Sequence, residues 1–306
     1  MNWTPEQLGD LSGNTFLITG ANSGIGLEAT KILCEKGAHV ILGARSQAKA
    51  DKAAAEVADA VPGASTSFVA LDLTDPSSIS AAAAHVRDHH PRLDALVNNA
   101  GVMQTPETRT AEGFELQFAT NHLGHFRLTA ALYPLLLESK GRVVVVSSIV
   151  HHQGRIDLDD LMAENSYDPT RAYGQSKLAN LMFAFELHRR LKAANSPVTC
   201  IPCHPGYSAT NLQSAGVGMS GGSAFFRWLY KVTNVLVAQS SVRGAYPLAL
   251  AAADPSAEPG TYYGPTGLMD MRGRVGKSSV AKHATDPEVA HQLWAASESL
   301  VGPFPL

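Results

Sequence analysis

The chain is short of cysteine, of charge and of long apolar runs, and each shortage excludes a class of protein. Only Cys34, Cys200 and Cys203 occur in 306 residues, an odd count that does not suggest a disulfide framework. Cys200 and Cys203 form a C-x-x-C, but "SPVTCIPCHPG" reads as a strand, where residues three apart point to opposite faces. No second pair completes a zinc site, and no metal is expected. Charged residues make up 17% of the chain and the formal net charge is −3, so nucleic acid and anionic membranes are not expected as partners. No apolar run approaches the roughly 18 residues that span a bilayer. The longest, "LTAALYPLLL", is too short and is interrupted by Pro134. The opening "MNWTPEQLGDLSGN" carries acidic residues and no apolar centre, unlike a signal peptide. It reads as a capped helical turn, with Thr4 as N-cap, Pro5 at the first position and Gln7 closing a capping box. A cytoplasmic protein without an integral membrane segment is the expectation.

What the chain has in quantity is alternation. "NTFLIT" (14–19) leads into a helix at about 24–36, and "HVILGA" (39–44) into another at about 46–60. "TSFVAL" (66–71) and "LDALVN" (93–98) flank a further helix, and a long helical region around 112–139 precedes "GRVVVVSS" (141–148). The helix holding "AYGQSKLANLMF" leads to "PVTCIPC" (197–203). Continuously apolar strands are those of a sheet covered on both faces. Strands alternating with helices imply βαβ units, hence an α/β fold with a Rossmann-type doubly wound parallel sheet. One domain over 1–306 is expected, in which 205–306 decorates the sheet and supplies a lid.

The first strand runs directly into "TGANSGIGLEATKIL", where Gly20, Gly24 and Gly26 are spaced G-x3-G-x-G at a strand–helix junction. Glycine permits the tight turn and a close backbone approach, and the helix start offers free N–H groups to a pyrophosphate. Such a turn in this context points to a dinucleotide. An NAD site wants a carboxylate at the end of the second strand, for the ribose 2′-hydroxyl, whereas NADP wants a cation for the 2′-phosphate. "VILGARSQAK" offers Arg45 and no Asp or Glu, so NADP(H) is the expected cofactor.

Taken together, "TGANSGIG" (19–26), "LDLTD" (71–75), "NNAG" (98–101), "TNHLGHF" (120–126), "VVVSS" (144–148), "YGQSK" (173–177) and "HPG" (204–206) resemble the short-chain dehydrogenase/reductase family along nearly the whole chain. "SSIVHHQGRIDLDDL" and "AYGQSKLANLMFAFELHRRL" look most like its retinol-dehydrogenase-like branch, in a soluble bacterial-type form. The resemblance implies an oxidoreductase that interconverts a lipophilic alcohol and its aldehyde or ketone. It assigns the cofactor to Gly20, Asn22, Ser23, Gly24, Ile25 and Gly26 in the turn, and to Arg45, Asp72 and Leu73. Asn98, Ala100 and Gly101 would let the fourth strand pass close to it, and Pro205 and Gly206 would complete the site. Asn121 would hold a water linking the lysine to solvent. A homodimer or homotetramer is implied, with a monomer also open.

Tyr173 and Lys177 lie four residues apart and so share one helical face. Bringing a phenol from about 10 to near 7 takes roughly 4 kcal/mol, and one cation about 4 Å away at an effective dielectric near 20 supplies about that much. Lys177, helped by an oxidised nicotinamide, is thus adequate to tune Tyr173 as acid/base, and it would also hold the nicotinamide ribose. Ser147 and Ser148 end the fifth strand facing opposite sides; the family pattern, with a serine 25 residues before the tyrosine, selects Ser148. His151 and His152 read as loop residues, and His89 and His90 as a helix end before Pro91. Beyond residue 206, Phe225, Leu229, Val232 and Leu236 recur at helical spacing, with Arg227, Lys231 and Asn234 off that stripe. This reads as an apolar helix over the cleft, or a membrane-surface contact. Two other functions share these motifs: an NADP(H)-binding sensor without turnover, and a sugar-nucleotide epimerase or dehydratase.

Overall fold

The computed structural model describes residues 2–207, 240–267 and 270–306. The stripe of Phe225, Leu229, Val232 and Leu236 lies outside the described residues. The first half of the chain lays down β1 (Thr15–Thr19), α1 (Gly24–Glu35), β2 (His39–Ala44), α2 (Gln47–Ala60), β3 (Ser65–Ala70), α3 (Pro76–His89) and β4 (Ala95–Asn98). A short α4 (Leu116–Phe118) then runs through a π-turn (Ala119–Leu123) into α5 (Gly124–Ser139). β5 (Arg142–Val146), α6 (Pro169–Ala193), β6 (Thr199–Cys203), α7 (Ser241–Ala253), β7 (Tyr263–Gly267), β8 (Arg272–Lys277) and α8 (Pro287–Val301) follow.

The eight strands form one sheet in the order β3-β2-β1-β4-β5-β6-β7-β8. All neighbours are parallel except β7 and β8. The expected doubly wound parallel sheet is therefore present, and the direction of winding reverses between β1 and β4. A crevice at that point, at the carboxyl ends of the strands, is where such sheets take ligands. Alternate strand residues feed two cores: Phe16, Ile18, Val40 and Leu42 pack on one face, and Leu17, Ile41, Leu96 and Val143 on the other. β3 departs from the continuously apolar pattern because it is the edge strand, with Ser65 and Ala70 exposed.

Helix starts follow sequence chemistry. Asp75 accepts from Ser77 N ahead of Pro76, and Asp168 accepts from Arg171 N ahead of Pro169. Elsewhere the structure corrects the sequence reading. The helical region expected around 112–139 begins only at Leu116, because Glu115 turns its carboxylate onto Gln117 N and Phe118 N, and from there it continues through the π-turn to Ser139. The capping box at the N-terminus does not form: Thr4 makes no side-chain cap bond, and Gln7 Nε2 reaches Asn2 O at 3.4 Å. Trp3 instead fixes this segment, donating from Nε1 to Asp254 Oδ2 at 2.6 Å. The antiparallel β7–β8 pair was not read from the sequence, since its glycine-rich strands lack an apolar run. Among the described residues no helix is long and apolar enough to cross a membrane.

One contact bears directly on the crevice. At Gly124, the first residue of α5, a Cβ would overlap the Leu73 carbonyl and lie 2.8 Å from Leu73 Cβ. Gly124→Ala is expected to cost about 1–3 kcal/mol through overpacking, read as a lowered urea midpoint. An unchanged midpoint would contradict this close approach of α5 to the loop after β3.

Candidate active site

The glycine turn follows from its backbone. Gly20 and Gly24 have φ of 70° and 56°, in the left-handed region that glycine adopts without a Cβ penalty. At Gly26 a Cβ would lie 2.7 Å from both Gly20 O and Asn99 Nδ2, so only glycine lets α1 seat this closely. Asn22, Ser23, Gly24 and Ile25 are half-buried along the lip. Ser23, the N-cap, makes no side-chain bond to the first turn, which leaves helix-start amides open to an anion. Gly20 N donates to Gly43 O at 2.8 Å and so joins the turn to the end of β2. Arg45 stands exposed just beyond. Asp72 accepts from Thr74 N at 2.9 Å and Thr74 Oγ1 at 2.7 Å, a local turn that employs one carboxylate oxygen. Leu73 is buried beside it.

The loop after β4 joins this turn to the second half of the site. Thr19 Oγ1 accepts from Asn99 N and Ala100 N, both at 2.9 Å. Gly101 abuts the far side: a Cβ there would lie 3.0 Å from Asn121 Oδ1 and 3.5 Å from Lys177 Nζ. Asn98 is fully buried, its Nδ2 donating to Thr129 Oγ1 at 2.9 Å while its Oδ1 has no partner. Lys177 Nζ is buried with one long bond, to Val146 O at 3.4 Å. An ammonium so poorly supplied with acceptors fits the ribose hydroxyls of a dinucleotide, and the open amides at the start of α1 fit its phosphates.

Tyr173 and Lys177 project from α6 with 8% and 4% exposure, and Nζ lies 5.8 Å from the ring centre. Burial pushes the Tyr173 phenol up to about 12, against a hydrogen bond with Ser148 that lowers it. Burial likewise pushes Lys177 down to about 8, against the attraction of Cys203. These directions hold for the chain alone, whereas a phenol near 7 is expected with an oxidised nicotinamide beside it. A charged ammonium 5.8 Å from the ring centre favours the phenolate and so opposes burial, but only while the lysine holds its proton.

The two serines part as their strand positions require. Ser147 Oγ donates to the Lys177 carbonyl at 2.6 Å, whereas Ser148 lies beside Tyr173 and accepts from Val150 N at 3.3 Å. The Asn121 amide is engaged at both ends: Oδ1 accepts from Val102 N at 2.8 Å, and Nδ2 donates to Val102 O and Ser176 Oγ, both at 2.9 Å. A water on this residue would use the second lone pair of Oδ1 or the backbone carbonyl, which already accepts from His125 Nδ1 at 2.9 Å. Pro205 and Gly206 follow β6, with Gly206 at φ 70° and its N donating to His204 Nδ1 at 3.2 Å. Cys200 and Cys203 point into opposite cores, and burial pushes both thiols up, away from redox chemistry. Among the described residues no group of three or more His, Cys, Asp or Glu is placed to hold a metal.

Comparison with known proteins gives a consistent result. The sequence pattern of a family described as short chain dehydrogenase matches residues 14–217. Retinol dehydrogenase 14 of Homo sapiens is 38% identical over 311 residues, covering 96% of this chain and 88% of the relative. Retinol dehydrogenase 11 of Mus musculus is 43% identical over 229 residues, covering 74% and 69%. The crystal structure of an uncharacterized protein from Mycobacterium paratuberculosis superposes with a TM-score of 0.82 at 37% identity, over 100% of both chains.

Sequence reasoning missed the histidines that brace this site. His125 bridges Asn121 O and Thr19 Oγ1, the latter at 2.9 Å, and His204 bridges Gly206 N and Ser278 Oγ, the latter at 2.8 Å. Their position inside "TNHLGHF" and "CHPG" was the only signal. Burial pushes His122 and His204 down to about 3, and His125 and His151 down to about 4. The unfolded chain therefore takes up these protons first. Stability is complete above about 6.5 and is lost as pH falls toward 4, at about 1.4 kcal/mol per histidine per unit. A urea midpoint level from pH 7 to 8 and falling steeply from 7 to 5 is expected; one that is flat down to pH 5 would contradict it.

Proposed function

This chain belongs to the short-chain dehydrogenase family, oxidoreductases that act on CH–OH groups, and from that premise we propose that it interconverts a lipophilic alcohol and its aldehyde or ketone with NADP(H). The observation that carries this reading is the buried Tyr173 phenol, set between Ser148 and Lys177. Bound NADPH supplies the hydride. Tyr173 donates its proton to the substrate oxygen, the Ser148 hydroxyl holds that oxygen as negative charge develops, and Lys177 stabilises the phenolate left behind. In oxidation the phenolate takes the alcohol proton. A phenol held protonated by burial is ready to act as the acid. To act as the base it needs Lys177 charged and the oxidised nicotinamide nearby.

Gly20, Asn22, Ser23, Gly24, Ile25 and Gly26 would hold the pyrophosphate, Asp72 and Leu73 the adenine, and Asn98, Ala100, Gly101, Lys177, Pro205 and Gly206 the nicotinamide half. The choice of NADP(H) is supported by Arg45 at the end of β2, where no carboxylate competes with a 2′-phosphate. Relatives named as retinol dehydrogenases favour a long apolar alcohol as the substrate class.

NADPH oxidation against retinaldehyde, apolar ketones and steroids tests the reading. Tyr173→Phe is expected to lose at least about 100-fold in kcat while still binding NADPH; parent-like turnover would refute the mechanism. Arg45→Ala is expected to weaken NADPH by about 10–100-fold, the worth of a charge-assisted bond, and NADH little. Equal weakening of both would refute the cofactor assignment.

A further inference from the structure

The turn after β5 is held by a histidine whose two ring nitrogens are both engaged. His151, 1% exposed, lies in the 3-10 turn Ile149–His152 directly after Ser148. Its Nδ1 is 2.7 Å from the Ser148 carbonyl, and because a carbonyl only accepts, Nδ1 carries the proton. Its Nε2 is 3.2 Å from Ala281 N, and because an amide only donates, Nε2 is bare. One neutral tautomer satisfies both bonds, and the exchange of either partner would break it. The backbone N of His151 donates to the same Ser148 carbonyl at 3.1 Å, so one residue makes two bonds to one oxygen.

The anchor for the ring comes from far along the chain. Ala281 precedes the short turn Lys282–Thr285, and His283 Nε2 donates to His151 O at 3.2 Å. The Tyr262 ring meets the His151 ring edge-on at 5.4 Å, and the His152 ring lies 4.1 Å from the same His151 ring. The Ser148 turn is thus set against a C-terminal segment 130 residues away rather than by its own strand alone.

We infer that His151 is a positioning residue that orients Ser148 against Tyr173, with the Ala281 amide fixing the ring that does so. This rests on the reading of Ser148 as the group that holds the substrate oxygen. Misplacing such a donor costs rate rather than cofactor affinity, because its bond strengthens only as the oxygen gains charge.

Two amide side chains separate the two bonds. His151→Asn keeps a donor near the Nδ1 position, and His151→Gln keeps an acceptor near the Nε2 position. Each gives up one of the two bonds, so both are expected to lower kcat, His151→Gln by about 10-fold or more and His151→Asn, which keeps the bond to Ser148, by less, with KM for NADPH unchanged in both. In a double-mutant cycle, His151→Gln is expected to cost nothing further once Ser148→Ala is present. Ala281→Pro, compatible with the φ of −62° there, removes the anchoring N–H and should show the same coupling even if His151→Gln fails to fold. Additive losses, or parent kcat in both His151→Gln and Ala281→Pro, would overturn the role of His151. Parent kcat in Ser148→Ala would instead overturn the reading of Ser148 on which it rests.

Discussion

Burial of the Tyr173–Lys177 pair is the constraint on which the site depends. A phenol and an ammonium removed from water both drift toward their neutral forms, Tyr173 up to about 12 and Lys177 down to about 8. Nearly every polar feature around them offsets that drift or waits to do so. Ser148 bonds the phenol, Ser147 grips the lysine backbone, and Gly101 leaves the ammonium side open by lacking a Cβ. The protein's own groups do not bring the Tyr173 phenol to ionise near pH 7. On this account the dinucleotide is part of the acid/base machinery as well as the hydride source, because it supplies the acceptors that keep Lys177 charged.

The same economy of charge governs the surroundings. His122, His125, His151 and His204 are all buried and all held neutral. For His125, His151 and His204 the bonding partners define the work: each bridges two segments distant in sequence. They brace the loop after β4, the Ser148 turn and the Gly206 turn respectively. Neutral imidazole suits this task because it donates at one nitrogen and accepts at the other without bringing a charge near Lys177. The cost falls at low pH, where the unfolded chain binds protons that the folded one cannot.

The parallel sheet was legible in the sequence because its strands are buried on both faces and so read as unbroken apolar runs. The glycine turn was legible because its spacing has few other uses at a strand–helix junction. The late start of α4 was not, since it depends on the Glu115 carboxylate folding back on two amides. β7 and β8 were not, since Tyr263–Gly267 and Arg272–Lys277 owe their pairing to neighbours rather than to pattern. Tyr173 and Lys177 could be paired from their four-residue spacing, yet the depth of their burial could not be read, because it is set by tertiary packing. His151 read as a loop residue for the same reason: Ala281 is invisible from its place in the chain.

The most direct test is the ionisation of Tyr173, followed as phenolate absorbance in the parent minus Tyr173→Phe, with and without NADP⁺. The account predicts no titration of this residue below about pH 10 in the free protein, and a marked downward shift once NADP⁺ is bound. Ionisation near neutrality without NADP⁺, or a titration that NADP⁺ leaves unmoved, would contradict it.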